Sequence, residues 1–289
     1  MSNATAENDL TVNTFGDSIV KSDFLGISYI TNSYNNFMNR TVDPRTKEWF
    51  LVDNPLPLLL ILTTYLAFCT KIGPRIMRNR KPLKLTEVLM VYNVIQVIVS
   101  IIIFHEGLMG GWLFHYNYKC QPVDYSDNPV ARRMATAVWY YYMCKIIELL
   151  DTVFFVLRKK DNQVSFLHLY HHTLMPVCAW IGVKWLPGGH GTLLGVINSF
   201  VHIVMYTYYL LAALGPQYQK YLWWKKYLTS MQIIQFIIII AHASQLFIYD
   251  CNYPKIMIAI LGLNTVFILV LFTMFYINSY VRNTKVKAN

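Results

Sequence analysis

Charge is what this sequence has least of. Asp, Glu, Lys and Arg make up 14% of its 289 residues, against the ~25% usual in soluble domains. A chain so poor in charge does not read as a soluble globular enzyme. Its hydrophobic residues, 55% of the total, fall in long blocks, which implies a polytopic membrane protein. Acidic residues are scarcer than basic ones, 15 against 25, for a net charge of +10. That balance does not make a nucleic-acid binder, because the basic residues sit in short runs between apolar blocks, where membrane topology puts them. Cysteines number five. Cys69, Cys144 and Cys178 lie in apolar runs and read as small buried residues, which leaves Cys120 and Cys251 in polar loops. No signal peptide is expected at the start, which is polar and carries Glu7, Asp9, Asp17 and Asp23. An internal repeat of transporter type is also missing.

Seven apolar blocks follow one another, over residues 55–72, 85–104, 134–157, 164–183, 193–214, 228–248 and 256–281. Each is near the ~20 residues that cross a bilayer as a helix. Breakers separate them: a loop with Gly107, Gly110, Gly111, Pro122 and Pro129 after the second, Pro187-Gly188-Gly189 after the fourth, Gly215-Pro216 after the fifth. The expected fold class is all-α, a polytopic membrane protein of seven transmembrane helices. Residues 1–50 form its N-terminal segment, 51–281 the membrane domain and 282–289 a tail.

The loops orient the chain. Of the 25 Lys and Arg, 15 lie at 71–84, 158–160, 215–226 and 282–289, whereas the opposite inter-helix loops hold Lys119, Arg132, Arg133, Lys184 and Lys255. The basic side faces the cytosol. The C-terminus is then cytosolic and, seven spans earlier, the N-terminus lumenal. Asn39-Arg-Thr41 is a glycosylation sequon on that lumenal side, and Asn3-Ala-Thr5 is another. Cys120 and Cys251 also face that disulfide-permissive compartment. A bridge between them would tie the second-to-third loop to the sixth-to-seventh, the alternative being two unrelated thiols. The tail Lys285-Val-Lys287-Ala-Asn289 reads either as a dilysine retrieval signal of the endoplasmic reticulum or as an ordinary basic flank.

Ionisable groups inside the blocks stand out, because each is costly in a membrane. Lys145, Glu148, Asp151 and Thr152 share one face of the third block, and His168, His171 and His172 one face of the fourth. The fifth carries Asn198, His202, Tyr206 and Tyr209 on one stripe, and the sixth carries Gln232 and Gln235. At 1.5 Å per residue these groups lie within the cytosolic ~20 Å, although successive helices run in opposite directions. Scattered packing residues would not gather this way. The expected shape is a polar chamber open to the cytosol that continues into a closed apolar channel. Such a site suits a ligand with a charged head and a long hydrocarbon tail. The plainer alternative, an ion-pair network that only fixes packing, leaves three histidines on one stripe unexplained. An ordinary aromatic packing face accounts for Tyr208.

Four motifs stand in order: Lys145-x-x-Glu148-x-x-Asp151-Thr152, His168-x-x-His171-His172, Asn198-Ser-x-x-His202-x-x-Met205-Tyr206-x-Tyr208-Tyr209, and Thr229-Ser-x-Gln232-x-x-Gln235. Together they resemble the boxes of the fatty-acid elongases of the endoplasmic reticulum, the very-long-chain 3-oxoacyl-CoA synthases. The stretch over 157–168 resembles the animal subgroup acting on saturated and monounsaturated very-long chains. The resemblance implies that helices two to seven ring a substrate tunnel. It implies condensation of a long-chain acyl-CoA with malonyl-CoA to 3-oxoacyl-CoA, CoA and carbon dioxide, with no metal and no tightly bound cofactor. The implied partners are membrane lipid and the ketoacyl reductase, dehydratase and enoyl reductase of the elongation cycle; the oligomeric state stays open, a homo-oligomer included.

A covalent route suits the chemistry, since an acyl-imidazole splits one hard step into two. His171 is the expected nucleophile and His202 its partner, with His168 and His172 orienting, polarising or shuttling protons. Sequence leaves His171 and His172 interchangeable as nucleophile. Lys145 balances Glu148 and Asp151 or meets a carboxylate, and Tyr206 belongs to the chamber. Asn198, Gln232 and Gln235 are candidate donors to the thioester oxygen or pantetheine amide. Lys159, Lys160, Lys225 and Lys226 either meet CoA phosphates or simply set topology.

The main rival is a metal-dependent membrane oxidase, a desaturase or hydroxylase. His168 and His172 have a ligand spacing, but such enzymes carry three histidine boxes, and this chain has one box among its eight histidines. His105, His115, His190 and His242 are scattered towards the lumenal side. A seven-helix receptor fits the span count but leaves the charged stripes without a purpose. Chain length is expected to depend on bulk near 177–185 and 235–242.

Overall fold

The computed structural model describes residues 41–249 and 251–282. The chain divides into a unit over Met1–Val42 and a second over Asp43–Asn289; the fold below is that of the second. Among the described residues all regular structure is helical. We number the helices α1 (Pro55–Met77), α2 (Thr86–Trp112), α3 (Pro129–Ile147), α4 (Leu149–Leu157), α5 (Phe166–Trp185), α6 (Thr192–Ala213), α7 (Lys225–Ile248) and α8 (Lys255–Arg282).

The starts follow from local chemistry. Asn54 precedes Pro55 and accepts from Leu56 N at 2.9 Å, and Asn128 precedes Pro129 and accepts from Ala131 N at 2.8 Å. Each is an N-cap with proline at the first helical position, where its missing N–H costs nothing. Ser165 caps α5 by accepting from His168 N at 3.3 Å. Gly215, at φ 111°, ends α6 in a conformation that only glycine adopts without strain.

By length and composition, α1, α2, α6, α7 and α8 are apolar enough to cross a membrane. The third and fourth expected spans are not in that group. Arg132, Arg133 and Lys145 charge α3, α4 has nine residues, and α5 carries three histidines and Lys184.

Three expectations are corrected. The block at 134–157 starts earlier, at Pro129, and is two helices broken at Glu148, whose ψ of −16° tightens the turn as Asp151 N bonds Glu148 O at 3.1 Å. The break coincides with the Lys145–Glu148 pair, both turned inward. Gly107, Gly110 and Gly111 are not a loop, because α2 runs on as a wide turn to Trp112. A Cβ on Gly107 would come within 2.6 Å of Val196, and one on Gly110 within 3.1 Å of the Met134 backbone. These glycines permit close helix approach and do not end the helix. The first block likewise continues past residue 72 to Met77.

Each of six helices packs on the next in a closed order, α2–α6–α7–α8–α5–α3 and back to α2, with α1 outside against α5 and α4. Residues 43–53 strap across the C-terminal end of α5 and along the side of α3. Asp43 N donates to Lys184 O, Thr46 Oγ1 to Val183 O, Tyr142 OH to Leu51 O, and Lys184 Nζ to Val52 O and Asp53 O. At that same end a disulfide joins Cys120 to Cys251, with Cα atoms 5.8 Å apart.

Candidate active site

Lys145 closes α3 one turn before the break. Its Nζ donates to both Glu148 oxygens and to Asn198 Oδ1, each at 2.9 Å, and lies 4.6 Å from the Tyr141 ring centroid. Three acceptors satisfy the three donors of the ammonium. Lys145 is 2% exposed and Glu148 1%, a depth at which a charge persists only when paired and hydrogen-bonded. Glu148 Oε1 also lies 3.0 Å from His202 Nδ1 and accepts from the Cys144 thiol at 3.2 Å. Nδ1 is the ring nitrogen that faces the carboxylate, so the anion favours the proton there and leaves Nε2 as the basic nitrogen, although the contact is not an aligned hydrogen bond. Tyr141 OH donates to Asn198 Oδ1 at 3.1 Å, and Asn198 Nδ2 reaches Gln235 Oε1 at 3.5 Å.

A second group forms on α4 and α6. Tyr206 OH donates to Asp151 Oδ2 at 2.7 Å, and its ring meets Tyr92 edge-on at 6.0 Å. Gln96 Nε2 donates to Tyr92 OH at 3.0 Å, and Gln96 Oε1 lies 3.4 Å from Cys144 Sγ, an alternative acceptor for its one hydrogen. Thus α2 enters the site through residues that sequence reasoning missed. The signal was there: Tyr92, Gln96 and Ser100, all buried, recur every four residues in an otherwise apolar run.

The histidine stripe forms the third group. His168 Nε2 lies 2.8 Å from Thr152 Oγ1, which lies 2.7 Å from Tyr65 OH. The rings of His168 and His172 are 4.1 Å apart, and those of His171 and His172 5.5 Å. Pro176, one turn beyond His172 inside α5, has no N–H to give the His172 carbonyl.

Between the ring helices lies an elongated cavity. His171, Asn198 and Gln235 line one part; Met175, Ile239 and Ile268 continue it; Leu186, Gly191 and Tyr253 line it at the disulfide end. From His171 to Leu186 the axial run along α5 is ~22 Å. The imidazole of His171 and the amides of Asn198 and Gln235 lie at one end of that run, and the disulfide end adds the hydroxyls of Thr192 and Tyr253. The lining and its length along α5 fit a long apolar chain with a polar head.

A profile of the family described as ELO: GNS1/SUR4 matches residues 50–288. This chain belongs to the ELO family. It is 52% identical over 250 residues to a very long chain fatty acid elongase of Aedes aegypti, covering 86% of this chain and 70% of the relative. With very long chain fatty acid elongase 7 of Drosophila melanogaster it shares 48% identity, over 92% and 82% of the two chains. With very long chain fatty acid elongase 1 of Homo sapiens the identity is 46%, over 89% and 92%.

In this ELO chain the expected site residues meet unequally. Lys145, Glu148, Asn198, His202 and Gln235 form one connected group, and Asp151 pairs with Tyr206. Gln232 does not join them, because among the described residues its amide reaches only Met205 Sδ, at 3.5 Å. Lys159 donates to Arg78 O at 3.3 Å, while Lys160, Lys225 and Lys226 are exposed. Two of the histidines expected to be scattered come together instead: His190 and His242 stack at 3.7 Å. Burial lowers the His190 imidazole below its usual range. Among the described residues no group of three His, Cys, Asp or Glu side chains is placed to hold a metal ion. Asn39 and the Lys285/Lys287 tail lie outside the described residues.

Proposed function

We propose that this chain is the condensing enzyme of fatty-acid elongation, a very-long-chain 3-oxoacyl-CoA synthase and hence an acyltransferase. It joins a long-chain acyl-CoA to malonyl-CoA and releases 3-oxoacyl-CoA, CoA and carbon dioxide. The supporting observation is His171 beside Asn198 and Gln235 at the polar part of an otherwise apolar cavity, in a chain whose relatives are named as elongases. In this reading seven spans cross the endoplasmic reticulum membrane: α1, α2, the α3–α4 pair, α5, α6, α7 and α8. Helices from the second span onward ring the acyl tunnel. The N-terminus is lumenal and the C-terminus cytosolic, which puts the Cys120–Cys251 disulfide in the oxidising compartment.

The chemistry runs in two stages. His171 attacks the thioester carbonyl, CoA leaves as the thiolate and is protonated, and an acyl-imidazole remains. His202 Nε2, kept basic by Glu148 on Nδ1, takes the imidazole proton and supplies one to the leaving thiolate. Malonyl-CoA then loses carbon dioxide, its enolate carbon attacks the acyl carbon, and the departing His171 ring takes up one proton from solvent, relayed by His202. This is the proton that the net reaction consumes. Asn198 and Gln235 donate to the oxygen on which charge develops, in a site from which water is excluded. Lys160, Lys225 and Lys226 are exposed cations available to the CoA phosphates; Lys159 would have to exchange its bond to Arg78 O. No tightly bound cofactor takes part. The product then needs a ketoacyl reductase, a dehydratase and an enoyl reductase to complete a cycle.

Membranes containing the full chain, given labelled malonyl-CoA and acyl-CoAs of graded length, should incorporate label. His171→Ala should abolish both incorporation and acyl-enzyme, with the trapped acyl group mapping to the peptide that bears His171. Label on neither His171 nor His172 refutes the covalent scheme, and no incorporation by folded wild-type protein at any chain length refutes the condensation.

A further inference from the structure

The peripheral helix α1 has no place in the ring around the cavity, yet it sends one polar side chain inward. Tyr65 is 5% exposed. Among the described residues its hydroxyl has one hydrogen-bond partner, Thr152 Oγ1 at 2.7 Å. Thr152, itself fully buried, faces His168 Nε2 on its other side at 2.8 Å. Three groups on three helices thus form a chain, α1 to α4 to α5, that ends on the histidine whose ring lies 4.1 Å from His172.

Thr152 has one hydroxyl hydrogen and two acceptor lone pairs. Were both neighbours to donate to it, its own hydrogen would be left buried without an acceptor among the described residues, so two directed settings are to be compared. In one, Tyr65 donates to Thr152 and Thr152 donates to His168 Nε2. In the other, His168 Nε2–H donates to Thr152 and Thr152 donates to the Tyr65 oxygen. The second setting leaves the Tyr65 hydrogen buried with no acceptor, an unmet donor of the kind that folded proteins avoid. The first setting satisfies every member. It makes Nε2 of His168 an acceptor and places the ring's proton on Nδ1.

We infer that Tyr65 is a positioning residue for the histidine site: through Thr152 it holds His168 as the Nδ1–H tautomer, so that His168 serves the site as a hydrogen-bond donor and not as its nucleophile or base. This rests on the condensing-enzyme reading for its consequence on rate, but the tautomer itself does not. Nε2 is occupied and cannot attack, and Nδ1 has no lone pair to offer. The four histidines thereby divide. His202 keeps Nε2 free because its Nδ1 faces the Glu148 carboxylate at 3.0 Å, whereas His168 keeps Nδ1–H because Thr152 holds Nε2.

The test uses the full-length protein in detergent or nanodiscs, labelled with ¹⁵N in histidine, since the two ring nitrogens report the tautomer directly. Wild type should show His168, assigned by its loss in His168→Gln, as Nδ1–H. Tyr65→Phe removes one hydroxyl without changing shape. It should convert His168 to the Nε2–H form or to a mixture and lower kcat about tenfold, with KM unchanged. Thr152→Val should do the same. Adding Tyr65→Phe to Thr152→Val should cost no further rate, since both break one chain. Thr152→Ser, which keeps a hydroxyl, should restore tautomer and rate relative to Thr152→Val. An Nε2–H His168 in wild type overturns the inference, as does an unchanged tautomer in folded Tyr65→Phe. So does a full additive loss in the double variant. If wild type carries the tautomer but never condenses, the functional reading fails while the tautomer assignment stands.

Discussion

Replacing Glu148 by Gln keeps the size and most contacts of the side chain and removes its charge. The Lys145 ammonium, 2% exposed, would then face two amide groups where it now has a carboxylate gripped at 2.9 Å through both oxygens. Stranding one member of a buried pair costs about 3–5 kcal/mol. In a chain of this size that lowers the thermal midpoint by roughly 10 °C. His202 loses the anion 3.0 Å from its Nδ1, so its proton is no longer held there and Nε2 is no longer kept basic. The condensation rate should fall at least a hundredfold, within the ~10²–10⁴ range of general-base losses. The decisive variant is Lys145→Met with Glu148→Gln. Removing both charges at once should recover most of the stability and none of the rate. Thermal unfolding in detergent and acyl-enzyme formation from labelled acyl-CoA are measured side by side. A double variant that regains rate along with its midpoint would refute the reasoning and return the Lys145–Glu148 pair to a packing role. A Glu148→Gln enzyme as active as wild type would do the same.

Two further perturbations address the far end of the cavity. Tyr253 lines it there, takes a hydrogen bond from Gly191 N at 3.3 Å and stands two residues from Cys251. Tyr253→Ala should lengthen the products by at least one round of two-carbon addition at unchanged rate on short acyl-CoAs, read by chromatography of the released acyl chains, whereas Tyr253→Phe should leave the length limit where it is. Cys120→Ser and Cys251→Ser should each abolish the mobility shift that wild type shows on reduction and should broaden product length in the same direction, because Cys120 is next to Gln121, whose carbonyl holds His190 N at 2.8 Å.

Much of this was legible before any coordinates. Apolar blocks and breakers locate the helices because a span must satisfy its own backbone in lipid. The periodicity of Lys145, Glu148, His168, His171, Asn198 and His202 groups them by face because helical geometry is local. Sidedness made a Cys120–Cys251 bridge an expectation beside that of two unrelated thiols, and the disulfide bears it out.

Other features depended on contacts that no local pattern encodes. The break at Glu148 reflects a pair drawn towards partners on α6. The glycines at 107 and 110 read as breakers from composition, but they sit where α2 meets Val196 and Met134. Gln232 and Gln235 are three apart on one helix, yet only Gln235 reaches Asn198. Tyr65, Tyr92 and Gln96 looked like ordinary members of apolar runs until packing turned them towards Thr152, Tyr206 and Cys144.

Sequence alone determined which residues are costly in a membrane and along which helical faces they lie, since burial cost and helical period are properties of the chain itself. Tertiary structure decided which of those groups touch and which nitrogen of His202 is held by Glu148. It also decided how far the apolar cavity runs, because helix order and the depth of each side chain are set by packing across the bundle.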